Sequence, residues 1–148
     1  MLEKLAAALG LTQVVEFRGW VAPAEVEREL ADAWALVVPS RWAEPLGLVA
    51  LEAIARGVPV IASANGCLGE VVGHGTSGLV FANGDETALG GHLAAVATGA
   101  AFADHTLPES VVAETRALHS ESRHIDRMRE IFREVAGAPR GGSVSRTA

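Results

Sequence analysis

The most constraining feature of the sequence is a strand–loop–helix–strand pattern within residues 35–62. The apolar run Ala35–Val38 indicates a short buried strand, and prolines interrupt the polar loop that follows it. Helical spacing predicts a helix over about Gly47–Arg56, and the short apolar segment Pro59–Ala62 predicts a second buried strand. Two strands joined in this way lie parallel with a right-handed crossover, so the pattern predicts the α/β class.

Two carboxylates are set around the start of this predicted helix. Glu44 lies in the loop just before it, and Glu52 lies one to two turns inside it. At about 1.5 Å of rise per residue, the helical part of this interval spans roughly 8–10 Å. This spacing suits a ligand that lies across the helix start, and it does not suit two groups that share one proton.

The start of the same helix offers backbone N–H groups to a ligand. A helix N-terminus carries about half a positive charge and binds phosphate. Gly47 would let a ligand approach the backbone closely, because it has no side chain. The N–H groups expected to point outward are those of Leu46, Gly47, Leu48 and Val49.

The whole stretch Pro39–Val60 follows the pattern Pro-Ser-x3-Glu-Pro-x-Gly-Leu-x3-Glu-Ala-x-Ala-x-Gly-x-Pro-Val. It resembles the donor-binding signature of family 4 (group 1) glycosyltransferases of the GT-B fold, in which Glu44 and Glu52 match a Glu-x7-Glu pair. The resemblance implies that Glu44 faces the donor sugar as the catalytic candidate and that Glu52 holds the ribose hydroxyls. It also implies that the helix-start amides hold the diphosphate. The alternative, two solvated surface charges, fits an isolated pair of glutamates better than it fits a pattern of this extent.

The resemblance extends to both sides of this stretch. Val14–Phe17 is predicted to be a strand, and the resemblance implies that the backbone of Gly19 and Trp20 just beyond it lies near the nucleotide base. A packed loop aromatic is an equally weighted alternative for Trp20. On the other side the family has Gly-Gly-x-x-Glu beside the donor, and Cys67 stands here in place of the second glycine. We interpret Cys67 as a small loop residue, because no Cys/His signature of a nucleophile accompanies it.

A second glycine pattern has no such role. Gly73–Gly78 formally fits Gly-x-Gly-x-x-Gly, but it precedes the predicted strand Gly78–Phe81. A dinucleotide-binding fingerprint follows a strand and opens a helix, so these glycines are predicted to form turns. Asp85 is predicted to cap the next helix. Further helices are predicted at Leu2–Leu9, from Pro23, at Pro108–Leu118 and at Ser122–Val135.

These elements predict a Rossmann-like parallel sheet of about four strands with flanking helices. We assign residues 1–136 to part of a GT-B C-terminal domain and residues 137–148 to a disordered tail, because the tail is rich in Gly, Ser and Arg. The resemblance implies two preceding strand–helix units, which carry an Arg and a Lys for the leaving diphosphate, and an N-terminal acceptor domain. The sequence contains none of these. We therefore interpret the chain as N-terminally truncated, inactive alone, and in need of the missing domain as a partner.

Composition excludes several other classes of protein. A formal charge of −6 argues against nucleic acid as a partner, and a single cysteine allows neither an internal disulfide nor a thiolate zinc cluster. No apolar run approaches the ~20 residues of a transmembrane segment, and no secretory signal is evident. A cytoplasmic, bacterial protein is therefore expected.

The predicted function is retaining transfer of a sugar from a nucleoside-diphosphate sugar to an acceptor hydroxyl, with no metal or cofactor. The alternative is a non-catalytic remnant, or a nucleotide-sugar-binding module that works with a partner domain. A flavodoxin-like regulator would need a phospho-acceptor Asp in an acidic cluster after the first strand. Glu16 and Arg18 do not supply it.

Overall fold

The computed structural model describes residues 1–137. Within them lie seven helices and three strands. The strands are β1 (Leu36–Val38), β2 (Val60–Ser63) and β3 (Gly78–Phe81). The helices are α1 (Leu2–Ala8), α2 (Pro23–Ala31), α3 (Leu48–Ile54), α4 (Leu68–Val71), α5 (Glu86–Ala97), α6 (Glu109–Leu118) and α7 (Glu121–Gly137). Helix α7 includes Gly137, the last described residue, and the rest of the predicted tail lies outside the described residues.

The three strands form one parallel sheet in the order β1-β2-β3, which confirms the predicted α/β fold. Leu36 pairs with Val60, and Val60 pairs in turn with Gly78. All residues of the central strand β2 are buried, as expected for a parallel strand with both neighbours present. The carboxyl ends of the strands therefore meet at one edge of the sheet.

The prediction of a fourth strand at Val14–Phe17 is wrong, because these residues form no strand. The N–H groups of Val14 and Val15 both donate to the carbonyl of Leu11, at 3.0 and 2.9 Å, so a turn uses the amides that a strand ladder would need. Val14 is 77 % exposed. The apolar composition of this segment indicated a strand, but the amides of Val14 and Val15 form local hydrogen bonds in a turn instead of pairing with a neighbouring strand.

The chain divides into two compact units, Met1–Ala33 and the residues from Trp34 onward. The first unit holds α1 and α2, with Leu30 and Ala6 as its buried apolar residues. The second unit holds the sheet and α3 to α7. The assignment of residues 1–136 to part of one GT-B C-terminal domain stays a prediction.

The buried side of α3 differs in part from the side that its sequence predicts. The spacing of Leu48, Leu51 and Ala55 predicts one buried side, yet Leu48 is 62 % exposed. It is the first residue of the helix, where the chain enters from the loop. The residues of α3 that are buried are Ala50, Leu51, Ala53 and Ile54. Small residues there allow α3 to pack closely on β1, β2, α4 and α6.

Two contacts hold the far end of α3. Arg116 on α6 donates from Nε to the carbonyl of Ala55 at 2.8 Å. Leu107 donates its N–H to the carbonyl of Gly57, also at 2.8 Å. Carbonyls at a helix C-terminus have no partner within the helix, so these bonds fix α6 against the end of α3.

The segment after α4 forms a turn, as predicted. The N–H groups of Thr76 and Ser77 both donate to the carbonyl of Gly73 at 3.0 Å. His74 then lies beside the outer edge of β3, where its Nδ1 accepts the N–H of Val80 at 3.0 Å. Asp85 caps α5 as predicted, because its carboxylate accepts the N–H of Ala88 at 2.9 Å.

Candidate functional site

The candidate site begins where β1 and β2 end. Ser63 is the last residue of β2, and Ser40 follows β1 by two positions. The Ser63 hydroxyl donates to the carbonyl of Ser40 at 2.7 Å, and the Asn65 side-chain amide reaches the same carbonyl at 3.4 Å. Ligands of open α/β sheets bind at this edge, so these bonds shape the backbone at the position where a site is expected.

Ser40 connects this edge to Glu44. Its hydroxyl donates to Oε1 of Glu44 at 2.8 Å. Ser40 is buried, and Glu44 is half-buried. The carboxylate of Glu44 is thus held at a fixed place beside the ends of the strands, unlike a freely solvated loop charge.

A second loop fixes the backbone of Glu44. The N–H of Cys67 donates to the carbonyl of Glu44 at 2.9 Å, and Glu44 forms a parallel bridge with Gly66. Gly66 has φ +60°, and a Cβ placed on it would lie 2.8 Å from the carbonyl carbon of Ala43 and closer still to the backbone N and O of Glu44. Only glycine fits this position, for reasons of both conformation and space.

Cys67 has no such requirement. Its φ is −77° and its ψ is −7°, which any residue adopts, and it stands at the N-cap of α4. The structure therefore tolerates a side chain where the resemblance places a second glycine. The four-residue helix α4 that follows is missing from the sequence predictions, because a single turn leaves too short a periodic pattern to detect.

The start of α3 has the geometry of a helix entry built on glycine. Gly47 is the N-cap, with φ 69° and ψ 46°. Its carbonyl accepts the first bonds of the helix, from Ala50 at 2.9 Å and Leu51 at 3.3 Å. Leu48 and Val49 carry the first N–H groups of the helix, and their contact with a ligand stays a prediction. Gly47 also has a packing role that the sequence does not reveal, since a Cβ there would lie 2.7 Å from Cδ2 of Leu68.

Glu52 lies on the exposed side of α3 and lines an open cavity of about 660 Å³. Leu46 and Leu48 line the same cavity, whereas Glu44 is not among its described lining residues. The opposite wall is the junction between α6 and α7. Basic side chains also line it, and sequence reasoning did not single them out as candidates: Arg56, His119, Arg123, His124 and Arg127.

The structure therefore places the predicted site residues in three groups. Glu44 is held at the sheet edge, and Glu52 borders the cavity beside α3. Gly19 and Trp20 belong to the first unit. Trp20 is 85 % exposed, which contradicts the interpretation as a packed loop aromatic, and its place beside a nucleotide base stays a prediction.

Comparison with known proteins gives the family. The family model "Glycosyl transferases group 1" matches residues 1–106. A D-inositol 3-phosphate glycosyltransferase of Frankia alni is 46 % identical over 84 residues, which are 57 % of this chain and 20 % of that protein. A GDP-mannose-dependent alpha-(1-6)-phosphatidylinositol monomannoside mannosyltransferase of Mycobacterium tuberculosis is 45 % identical over 85 residues, covering 53 % of this chain and 22 % of that protein. The chain spans about a fifth of the length of these curated relatives.

Solved structures agree on the fold. Sucrose-phosphate synthase from Thermosynechococcus elongatus superimposes with a TM-score of 0.79 at 32 % identity, covering 93 % of this chain and 34 % of that one. Anabaena HepE in complex with UDP-glucose has the same fold, with a TM-score of 0.68 at 24 % identity, covering 93 % of this chain and 36 % of that one. Among the helices within residues 1–137, none has the length and apolar character to cross a bilayer. The matched motif, the parallel sheet and these relatives together show that the chain belongs to the group 1 glycosyl transferases and has the fold of the GT-B enzymes among them.

Proposed function

We propose that this chain supplies the donor-binding side of a retaining glycosyl transfer from a nucleoside-diphosphate sugar to an acceptor hydroxyl. The observation that supports it most is the carboxylate of Glu44, which Ser40 holds at the carboxyl end of the parallel strands, four residues ahead of α3. Glu44 and Glu52 keep the Glu-x7-Glu interval of the donor signature. The chain spans about a fifth of the length of its curated relatives. The proposal for this chain therefore concerns the donor site, and transfer to an acceptor is proposed for the whole protein.

In this proposal each group acts on one part of the donor. Glu44 hydrogen-bonds the sugar hydroxyls close to the reacting carbon, where an interaction strengthens most in the transition state. The amides at the start of α3 and the dipole of that helix face the diphosphate. The carboxylate of Glu52 accepts hydrogen bonds from the ribose hydroxyls. In the whole protein, the leaving diphosphate is stabilised by these dipoles and by the Arg and Lys that the resemblance implies, without a metal ion.

The nucleotide sugars used to test this proposal should carry more than one kind of nucleotide. The M. tuberculosis relative is GDP-mannose-dependent by name, and the Anabaena structure holds UDP-glucose. We therefore propose a nucleoside-diphosphate sugar as the donor class and a set of UDP-, GDP- and ADP-sugars as the probes.

Binding without turnover is the second candidate function. The limited span of the chain relative to its relatives favours it, because a donor site can bind its ligand before the acceptor side is in place. The two candidates differ in one observable, which is product formation. We expect this chain alone to bind a nucleotide sugar and to form no glycosylated product.

Titration calorimetry of the 148-residue chain against these nucleotide sugars tests the donor site, and a transfer and hydrolysis assay with the same compounds tests turnover. The variant Glu52→Ala should lose affinity, whereas Glu114→Ala should not, because Glu114 is also an exposed glutamate but lies in the middle of α6 and does not line the cavity beside α3. No binding to any nucleotide sugar would refute the donor-site proposal. Sustained transfer by this chain would refute the expectation that it is inactive alone.

A further inference from the structure

We infer that Ser63 is a positioning residue for Glu44, acting through Ser40. This inference rests on the proposed function, because it concerns the carboxylate that would face the donor sugar. Ser63 donates to the carbonyl of Ser40 at 2.7 Å, and Ser40 donates to Oε1 of Glu44 at 2.8 Å. The two serines therefore connect the sheet to the carboxylate in two steps.

The anchor of this connection is rigid. Ser63 is 1 % exposed, and its backbone is paired with Phe81 in the register of β2 and β3. Its hydroxyl carries one hydrogen, and that hydrogen is committed to the Ser40 carbonyl. A hydroxyl in this position fixes the chain just beyond β1, because the carbonyl it holds belongs to the second residue after that strand.

The side chain of Ser40 is committed to Glu44. A carboxylate only accepts hydrogen bonds, and Ser40 has a single hydroxyl hydrogen, which points to Oε1. The Ser40 carbonyl accepts from Ser63 and Asn65, so the backbone and the side chain of Ser40 are both engaged. The bonds from Ser63 and Asn65 hold the backbone from which the Ser40 hydroxyl reaches Glu44.

Glu44 is also held from the other side. Cys67 binds its carbonyl at 2.9 Å, and Gly66 packs against its backbone. Both ends of the residue are therefore fixed in the absence of a ligand. Groups that are held in place before binding lose little freedom when the ligand arrives, and the gain is limited to the part of the ligand they touch.

The consequence is selective. Loss of the Ser63 hydroxyl should weaken the contact of Glu44 with the sugar and leave the nucleotide contacts intact. The measure is the ratio of dissociation constants for a nucleoside diphosphate and its sugar derivative. We expect Ser63→Ala to lower this ratio roughly fivefold, the factor that corresponds to one net hydrogen bond. The affinity for the free diphosphate should remain within about twofold.

Two further variants separate positioning from general damage to the fold. Ser63→Thr keeps a hydroxyl and should restore the ratio. Ser77→Ala removes another buried serine hydroxyl, which accepts the N–H of Gly73 at 2.9 Å outside the site, and it should leave the ratio unchanged. An equal loss of affinity for the diphosphate and the sugar derivative in Ser63→Ala would overturn the inference, as would an unchanged ratio.

A measurement without ligand distinguishes this inference from the proposed function. Side-chain NMR relaxation in the free wild-type chain should show Glu44 more ordered than Glu114, and Ser63→Ala should make Glu44 as mobile as Glu114. If no nucleotide sugar binds and this pattern is still found, the donor role fails and the positioning contact is supported. If wild-type Glu44 is already as mobile as Glu114, the positioning role is refuted whatever binds.

Discussion

Gly66 lies so close to Glu44 that the two backbones leave no room for a side chain between them. Gly66→Ala would place a methyl group against the backbone N and O of Glu44, at a φ of +60° that alanine disfavours by about 1–2 kcal/mol. We expect the free energy of unfolding to fall by at least about 2 kcal/mol when strain and displacement combine. Urea denaturation of the purified variant measures this change.

Gly90→Ala is the matched control for that substitution. Gly90 lies inside α5, and a Cβ there would meet no atom within 4 Å. Alanine is favoured over glycine in a helix interior by about 0.8–1 kcal/mol, so the control should be stabilised. If Gly66→Ala were stabilised as Gly90→Ala is expected to be, the close approach of Gly66 to Glu44 would be disproved.

Cys67→Gly tests whether the family's second glycine is needed in this chain. Cys67 has φ −77°, so glycine would relieve no strain there. It would instead add freedom to the unfolded chain, and we expect a loss of stability of about 0.4–1 kcal/mol. Thermal denaturation under reducing conditions is the measurement. An increase in stability would show that the side chain at this position is strained after all.

Glu52→Ala and Glu44→Ala should have different effects on ligand affinity. A charged hydrogen bond contributes about 1.5–3 kcal/mol. Loss of the ribose contact in Glu52→Ala should therefore lower the affinity for the free diphosphate and for the nucleotide sugar alike, by about ten- to a hundredfold. Glu44→Ala should leave the affinity for the free diphosphate unchanged. In a complete protein carrying this segment, it should lower turnover more than donor affinity.

Calorimetric titration of both variants with a diphosphate and its sugar derivative separates these roles. Unchanged donor affinity in Glu52→Ala would contradict the ribose assignment. Equal effects of Glu44→Ala on the diphosphate and on the sugar derivative would count against a contact with the sugar.

The edge of β3 provides a prediction about stability. His74 accepts the N–H of Val80 through Nδ1 at 3.0 Å, and His92 lies 3.4 Å from the carbonyl of the same residue. The imidazole of His74 therefore supplies an acceptor to a backbone amide at the edge of the sheet.

His74→Leu removes this acceptor, whereas His74→Asn keeps one. Urea denaturation should show His74→Leu less stable than wild type by about 1 kcal/mol, because one hydrogen bond is lost. His74→Asn should lose less stability than His74→Leu. Equal stability of His74→Leu and wild type would rule out this role.

The sequence predicts the three strands because each is a short apolar run with a breaker beside it. Val14–Phe17 has a similar composition but is not a strand, because the amides of Val14 and Val15 bond locally to Leu11. The exposure of Leu48 was also missed, since periodicity identifies a helix more reliably than it identifies the side that is buried. Tertiary packing decides such details, and a local pattern does not contain them.

The candidate site divides in the same way. Glu44, Gly47 and Glu52 could be selected from the sequence because they fall within one continuous pattern. The role of Ser63 could not, because its bond to Ser40 joins positions 23 residues apart and exists only where β1 and β2 end side by side. The requirement for Gly66 depends likewise on a loop contact that spacing cannot reveal.

The parallel pairing of β1 with β2 has a consequence for how the chain folds. Parallel strands are joined through a helix and cannot form by a local hairpin, so their contacts close long loops and form slowly. The Ser63–Ser40 bond requires this pairing, and Glu44 is therefore set in place only after the sheet has assembled. Any ligand that binds Glu44 in this position will draw the folding equilibrium toward the assembled sheet by mass action.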